Sequence, residues 1–456
     1  MDIQALVLAQ RAHFQTGATL PLSARRAALK ALHQAIQERE RDITAALAAD
    51  LNKSPAESYM CEIGMTLSEL RYTEKHLGRW MRDRHVPTPL SQFHAKSFTV
   101  CDPYGVVLIM SPWNYPFMLT MDPLIGAIAA GNCCVVKPSA YSPATSAVIQ
   151  EILSQCFPTE YVAVVEGGRA ENQALLEQKF DYIFFTGSVA VGKEVMTKAA
   201  AHLTPVTLEL GGKSPCVVDR SAKLDLAAKR LVFGKLLNCG QTCVAPDYVL
   251  IDKAVKDAFI ASLKKWMAAM YGSDPLDNQG YVRMINQKHF DRVMGLIDQD
   301  KVVYGGKGDP ETRKIQPTIL DGVSPEDPVM QEEIFGPLLP ILTYDTIQQA
   351  QDFINSRPHP LALYLFSEDK AVQERFLRRV PFGGGCINDT IIHLATSRMG
   401  FGGVGDSGMG SYHGKESFNT FSRRKSIVKK STWLDLSLRY APYSPKQEKM
   451  LRFFLK

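Results

Sequence analysis

At 456 residues the chain is too long for one ordinary hydrophobic core, so two or three domains are expected. Its 45% hydrophobic and 22% charged residues are ordinary for a globular protein, and a net charge of +5, from 52 basic and 47 acidic residues, is too small a bias to select nucleic acid or an anionic membrane as the main partner. Nine cysteines without the spacing of a disulfide framework read as free thiols. The first residues, 1–10, lack a basic segment followed by an apolar one, so no secretory leader is expected. A membrane span needs roughly 18 consecutive apolar residues. The nearest candidate, 116–130, is interrupted by Asp122, Pro123 and Gly126, and 450–456 is too short to anchor. A soluble, cytoplasmic protein is expected.

The N-terminal stretch reads as helical, because Leu29, Leu32, Ile36, Ile43 and Leu47 recur at helical spacing with charges between them. A second helical segment covers 62–82, and an extended, proline-marked segment covers 85–102. From Tyr104 the pattern changes. Short apolar runs at 106–110, 133–136, 162–165, 182–185 and 206–210 alternate with helical stretches at 118–130, 144–156, 172–178 and 189–202. Such alternation predicts βαβ units and a buried parallel sheet, in which ligands bind at the carboxyl ends of the strands. After Gly211-Gly212 the pattern resumes: a strand at 215–218, a helix at 224–237, a strand at 248–251, then helices at 255–270 and 286–299. A second α/β domain is expected, with the boundary near Gly211. Gly383-Gly384-Gly385 reads as a flexible loop, while Gly211 and Gly212 could simply turn the chain between domains. The tail at 421–438 carries Arg423, Arg424, Lys425, Lys429 and Lys430; a solvated edge or an oligomer contact is favoured over an anion site.

Four segments carry residues that could do chemistry. Cys243 follows Asn238-Cys239-Gly240-Gln241-Thr242, where a helix ends in a short loop, a setting that exposes a thiol to ligands. The alternative is a small buried hydrophobe. Cys239 and Cys243 could also be half of a metal site, but no His or Cys pair with ligand spacing completes it, and no metal is expected. Glu209 lies in an apolar strand ending in Gly211-Gly212. Burial there would raise its affinity for a proton, which suits a general base; the alternative is a solvent-facing Glu, or one paired with Lys213. Asn114, fixed between Pro112 and Pro116, offers an amide donor for an oxyanion, or is a turn residue. Finally, 184–193 follows a strand and opens a helix, whose free N–H groups favour phosphate. Gly187 to Lys193 fits the start of a P-loop, but Glu194 stands where the metal-binding hydroxyl belongs. The G-x-G-x-x-G fingerprint is absent, so any pyrophosphate would be held in a different geometry.

Taken in order, these segments resemble the aldehyde dehydrogenase superfamily nearly end to end. Pro112-Trp113-Asn114-Tyr115-Pro116 resembles its oxyanion motif; Gly126 to Asn132 followed by Val135-Val136-Lys137-Pro138, its cofactor-ribose strand; and Phe185-Thr186-Gly187-Ser188 followed by Gly192, its pyrophosphate turn. Leu208-Glu209-Leu210-Gly211-Gly212-Lys213 resembles the general-base motif, Gly240-Gln241-Thr242-Cys243 the nucleophile loop, and Glu332-Glu333-Ile334-Phe335-Gly336-Pro337 the motif at the nicotinamide ribose. The tail Ser411-Tyr412-His413-Gly414-Lys415, with 417–422, is most similar to the class 3 branch that includes the fatty aldehyde dehydrogenases. The chain lacks the long apolar C-terminal helix of that branch's membrane-bound members.

The resemblance implies an α/β aldehyde dehydrogenase fold: a Rossmann-like cofactor domain (1–84 and 105–210), a second α/β catalytic domain (211–395), and a small oligomerisation extension (85–104 and 417–440). It implies NAD- or NADP-dependent oxidation of aldehydes, medium- to long-chain aliphatic or aromatic, to acids, by a homodimer. Cys243 would attack the aldehyde, Asn114 and the Cys243 N–H would hold the oxyanion, and Glu209 would activate water on the thioester. Lys137 and Glu333 would hold the riboses, Thr186, Gly187, Ser188 and Gly192 the pyrophosphate, Gly168 the adenine side, and Phe335 the nicotinamide. Asn388 is expected only to support the site. Ala140 stands where many NAD-preferring members carry a Glu, which removes repulsion against NADP and suggests dual use. A CoA-acylating relative would lack Glu209, an acyl-phosphate reductase would not need both Glu209 and Glu333, and a silent protein of this fold would have lost Cys243, Glu209 or Asn114.

Overall fold

Two largely parallel sheets organise residues 2–455, the part of the chain that the computed structural model describes. The first has six strands in the order Gly408–Met409, Val206–Glu209, Tyr182–Thr186, Val106–Met110, Cys133–Lys137 and Val162–Val164. All neighbours are parallel except Gly408–Met409, which runs antiparallel to Val206–Glu209. Residues in these strands are buried almost without exception, which is why the runs are apolar rather than alternating. Chain order reverses between Val106–Met110 and Tyr182–Thr186, and a crevice opens beyond their carboxyl ends at such a switch point.

The helical N-terminal stretch is two helices, Leu22–Glu38 and Glu40–Leu51, broken at Arg39. The register of the apolar side chains survives the break: Leu29, Leu32, Ile36, Ile43 and Leu47 are all fully buried. Helix Met118–Ala130 matches its predicted span and is buried throughout, ending at a left-handed Gly131 (φ 95°). Its start is capped from outside. Glu62 accepts the N–H groups of Phe117 (2.9 Å) and Met118 (3.3 Å), satisfying orphan donors and placing a negative charge at the positive end.

The second sheet has seven strands, in the order Val302–Tyr304, Thr318–Leu320, Leu338–Tyr344, Tyr248–Asp252, Pro215–Val218, Ala362–Phe366 and Gly384–Ile387. The glycine-rich segment expected as a loop is the last of these, pairing Gly384 with Ala362 and Gly385 with Leu363. A Cβ on Gly385 would lie 2.0 Å from the Leu363 carbonyl oxygen, so the glycines permit close strand approach rather than flexibility. The predicted helix at 286–299 is shorter, Gln287–Met294. A third, antiparallel sheet joins Arg84–Val86, Ala95–Pro103 and Ser422–Lys430; the last two pair over nine positions, from Ser422 against Pro103 to Lys430 against Ala95. Among the described residues no helix is long and apolar enough to cross a membrane.

One buried ion pair ties the N-terminal helices to the first sheet. Lys53 and Glu62 are 1% and 0% exposed and form a salt bridge; Lys53 also donates to the Asn114 carbonyl (3.0 Å) and lies over the Tyr115 ring (4.1 Å). Replacing Lys53 by Met keeps the stem but removes the only cation paired with Glu62 in the interior among the described residues, at a cost of about 3–5 kcal/mol. Lys53→Met is expected to unfold at markedly lower denaturant, and adding Glu62→Gln should recover part of the loss. A single variant as stable as wild type would contradict this.

Candidate active site

Helix Leu224–Leu236 ends in a turn that L-residues avoid. Asn238, Cys239 and Gly240 all have positive φ, at 53°, 55° and 74°. Each such non-glycine residue costs of order 1 kcal/mol or more, so other contacts must hold the loop. Asn238 donates its backbone N–H to Glu57 (2.7 Å) and its side-chain amide to the carbonyls of Asn114 (2.8 Å) and Gln241 (3.0 Å). The buried Gln241 amide donates to the Asn238 and Arg283 carbonyls and accepts from the Ile285 N–H (3.0 Å). Gly240 is required twice over, because a Cβ there would also lie 2.3 Å from the Gly336 oxygen.

This loop delivers Thr242, Cys243 and Val244 to the wall of an apolar cavity of about 190 Å³. Met60, Met65, Met118, Leu119, Phe233, Leu237, Ile392, Leu394, Phe401 and Tyr412 complete most of its lining. The backbone N–H groups of Cys243 and Val244 favour the ionised form of the Cys243 sulfur, against the larger effect of burial. Asn114 stands between this cavity and a second one. Trp113 lines the second cavity and Tyr115 the first, so the Pro-bounded turn is the partition between them. The Asn114 side chain, 2% exposed, donates one amide proton to the Gln241 carbonyl (3.0 Å). An NH2 group carries two protons, and the second remains available.

Glu209 ends strand Val206–Glu209 and is 2% exposed, with no hydrogen-bond partner on either carboxylate oxygen. Lys213 does not pair with it. That ammonium is taken by Asp247 (2.5 Å) and by the Val329 and Glu332 carbonyls. Burial without a cation pushes the Glu209 carboxyl well above the usual carboxylate range. Glu333 lies directly against Gly211, two residues on from Glu209; a Cβ on Gly211 would sit 2.2 Å from its Oε2. Burial, and then Asp247, push Glu333 up to about 8. The Cys243 thiol is pushed up to about 12, by burial first and then by Glu333 and Glu209. Both acids thus bear electrostatically on the same thiol.

The second cavity, about 530 Å³, opens at the switch point of the first sheet. Lys137, Gly168, Thr186, Gly187 and Ser188 line it, together with Ala140. Lys137 is buried at the end of its strand and donates to the Pro138 (2.8 Å) and Gly167 (2.7 Å) carbonyls. A Cβ on Gly168 would meet nothing within 4 Å, so the space over its backbone is open. The Thr186 hydroxyl is buried without a partner, and Ser188 caps helix Val189–Ala200. A free hydroxyl, a lysine and a helix N-terminus around one cavity fit a phosphate- and ribose-bearing cofactor. Gly192 does not line the cavity. It is buried, and a Cβ there would lie 2.6 Å from Leu210, so the glycine lets the helix settle on the sheet. Phe335 adopts φ 50° and meets Trp113 edge-on at 5.3 Å. Asn388 clasps a strand end, accepting from the Ser367 N–H and donating to its carbonyl. No cluster of metal-ligating side chains exists among the described residues.

Sequence reasoning missed the supports. Lys53, Glu57 and Glu62 support the two active loops, yet each is an isolated polar residue with no motif around it, and Asn238, inside the Cys243 segment, gave no sign of its supporting role. Phe401, Tyr412 and His413 line the apolar cavity. For Tyr412 and His413 the signal was the tail resemblance, which gave no hint of where the tail folds; Phe401 had none.

The family model described as the aldehyde dehydrogenase family matches residues 1–427. A 4,4'-diaponeurosporen-aldehyde dehydrogenase of Staphylococcus aureus is 47% identical over 97% of this chain and 97% of its own. A dimeric NADP-preferring aldehyde dehydrogenase of Canis lupus familiaris is 45% identical over 99% of each. The solved substrate-bound state of Staphylococcus aureus AldH superposes with a TM-score of 0.98 at 46% identity, covering 100% of both chains.

A thiol held near 12 is almost wholly protonated at neutral pH, and its thiolate fraction rises about tenfold per pH unit. Alkylation of Cys243 by iodoacetamide without cofactor is therefore expected to accelerate steadily from pH 6 to pH 9. A plateau near pH 7 would contradict the burial argument.

Proposed function

This chain belongs to the aldehyde dehydrogenase family and oxidises aldehydes with NAD or NADP, and from that premise we propose that the reaction runs through a thioester on Cys243. The observation that carries the proposal is a thiol on the wall of an apolar cavity, with a buried, unpaired Glu209 bearing electrostatically on it.

Cys243, its proton passed to solvent water, attacks the carbonyl carbon as the thiolate, and the carbonyl π pair moves to oxygen to give an oxyanion. The free amide proton of Asn114 and the Cys243 N–H are the donors for that oxyanion. NAD or NADP, when bound, supplies the hydride acceptor and a positively charged ring. Lys137 and Glu333 hold its riboses, Thr186, Gly187 and Ser188 its pyrophosphate; Phe335 packs by its nicotinamide, and Gly168 leaves backbone open to its adenine end. Gly192 contributes by seating the helix that bears Ser188. Once the thioester has formed, Glu209 takes a proton from water as the water oxygen bonds to the acyl carbon and the Cys243 thiolate leaves. A carboxyl poised well above the usual range holds that proton better than an exposed one. Glu209 is also what favours water over CoA as the acyl acceptor, and the presence of Cys243, Glu209 and Asn114 together argues against a silent protein.

The apolar lining suits medium- to long-chain aliphatic or aromatic aldehydes. Residues 1–84 and 105–210 serve as the cofactor domain and 211–395 as the catalytic domain. Strand Ser422–Lys430 presents the unpaired outer edge of the third sheet, with most of its side chains exposed. An edge of that length needs a cover, and a second copy of the chain forming a homodimer is the proposed one. The free state of all nine cysteines supports a cytoplasmic setting.

Cys243→Ala is expected to abolish turnover, and Asn114→Ala to cost about 2.7–4 kcal/mol of barrier. Both are read from reduced-cofactor absorbance with a saturated medium-chain aldehyde; full activity in Cys243→Ala would sink the nucleophile assignment. Ala140 is exposed in the cofactor cavity. Ala140→Glu is expected to raise the KM for NADP about tenfold or more through charge repulsion while leaving that for NAD nearly unchanged. Equal effects on both cofactors would contradict this.

A further inference from the structure

The basic residues of strand Ser422–Lys430 divide into two sets. Arg423 and Lys425 approach Asp102, at 3.8 and 2.8 Å. Arg424 lies between them in sequence, so its side chain is on the other face of the third sheet. There it donates to the Asn419 side-chain oxygen at 2.9 Å.

The strand register shows what shares that face. Arg424 stands opposite Cys101, and Arg84 opposite Thr99. Opposed residues lie on one face of a sheet, as do residues two apart along a strand, so these four form one wall of a cavity. Helix Gly64–Trp80 forms a second wall, with Tyr72, His76 and Arg79 on successive turns of one face. Helix Lys415–Thr420 adds Lys415 and Asn419, four residues apart. The cavity is about 500 Å³, and it shares no lining residue with the Cys243 cavity or with the cofactor cavity.

Charge in this space is unbalanced. Arg79, Arg82, Arg84, Lys415 and Arg424 line it, against the single carboxylate of Asp83. None of these six forms a salt bridge among the described residues. Glu416, beside Lys415 in sequence, accepts from Asn419 (3.2 Å) instead of pairing with a cation. A merely solvated edge would scatter its charges outward, whereas strand register and helical spacing turn these toward one space. Cations gathered in a cleft focus a positive potential there. Guanidinium forks match the oxygens of a phosphate, and this many cations exceed what one carboxylate ligand would balance. The volume admits a ligand of nucleotide size.

We propose that this cavity is a binding site for a phosphate-bearing small molecule with two or more negative charges, held by Arg79, Arg84, Lys415 and Arg424. The site is separate from the chemistry at Cys243 and does not depend on it.

The test is calorimetric titration of inorganic pyrophosphate into the NAD-saturated protein at constant ionic strength, with NAD keeping the probe out of the cofactor cavity. One pyrophosphate per chain is expected to bind wild type with a Kd below about 1 mM. The double variant Arg79→Gln/Lys415→Gln should bind about tenfold more weakly or worse, because a hydrogen bond to a charged group is typically worth that much. Arg84→Gln, on a different element, should weaken binding as well. Arg423→Gln, on the opposite face beside Asp102, should leave it unchanged. The double variant should unfold at the wild-type temperature, since both replaced side chains are exposed and unpaired, so its loss of binding is not a loss of fold. A wild-type Kd weaker than about 1 mM, or equal binding by wild type and the double variant, would overturn the site. An equal loss in Arg423→Gln would also overturn it, because that result marks general attraction to a basic surface.

Discussion

Asn114 and the Asn238–Gln241 loop hold each other across the junction of the two large sheets. The Asn114 side chain donates to the Gln241 carbonyl, and the Asn238 side chain donates back to the Asn114 carbonyl. One partner follows strand Val106–Met110 of the first sheet and the other follows helix Leu224–Leu236, so the exchange fixes the Asn114 amide relative to the loop that bears Cys243 by hydrogen bonds rather than by surface packing alone. It also stabilises backbone that would not otherwise persist, since the loop runs through three left-handed residues. Lys53 reinforces the same carbonyl from beneath, and Glu62 holds Lys53 and the helix that follows Asn114. A geometry tolerance near 0.5 Å is what such chemistry requires, and supports of this kind supply it.

Around that clasp the electrostatics hold the chemistry in check. Burial raises Cys243, Glu209 and Glu333 together, and each acid makes the thiolate harder to form. Burial and the two acids therefore favour the protonated form of the Cys243 thiol. The cavity that holds Cys243 is apolar, and the turn from Trp113 to Tyr115 divides it from the more polar cavity at Lys137 and Thr186. One short segment thus separates two chemically different cavities and places the Asn114 amide between them.

Much of this was legible in the residues. The apolar runs at 106–110 and 215–218 became strands at those limits, and 118–130 became the predicted helix, because long buried elements of a parallel sheet leave a strong signal. The Cys243, Glu209 and Asn114 segments were readable because each breaks a local rule: a thiol in a loop, an acid in an apolar strand, an amide between prolines. Gly383-Gly384-Gly385 misled, since glycine permits both freedom and close strand approach, and only the neighbouring Leu363 carbonyl decides between them. Gly192 was similarly ambiguous, and its environment is Leu210 rather than the cavity. Lys53 and Glu62 left no trace, because their meaning lies in partners distant along the chain, such as the Asn114 carbonyl and the Phe117 N–H.

The central claim is that the acyl group rests on Cys243 before water releases it with the help of Glu209. The most direct measurement is intact and peptide mass spectrometry of Glu209→Gln, quenched in acid after mixing with a saturated medium-chain aldehyde and NAD. The account expects the peptide containing Cys243 to gain the mass of the aldehyde less two hydrogens, and wild type treated alike to show far less of it. An unmodified Cys243 in the presence of released reduced cofactor, or an acyl group found on another residue, would contradict it.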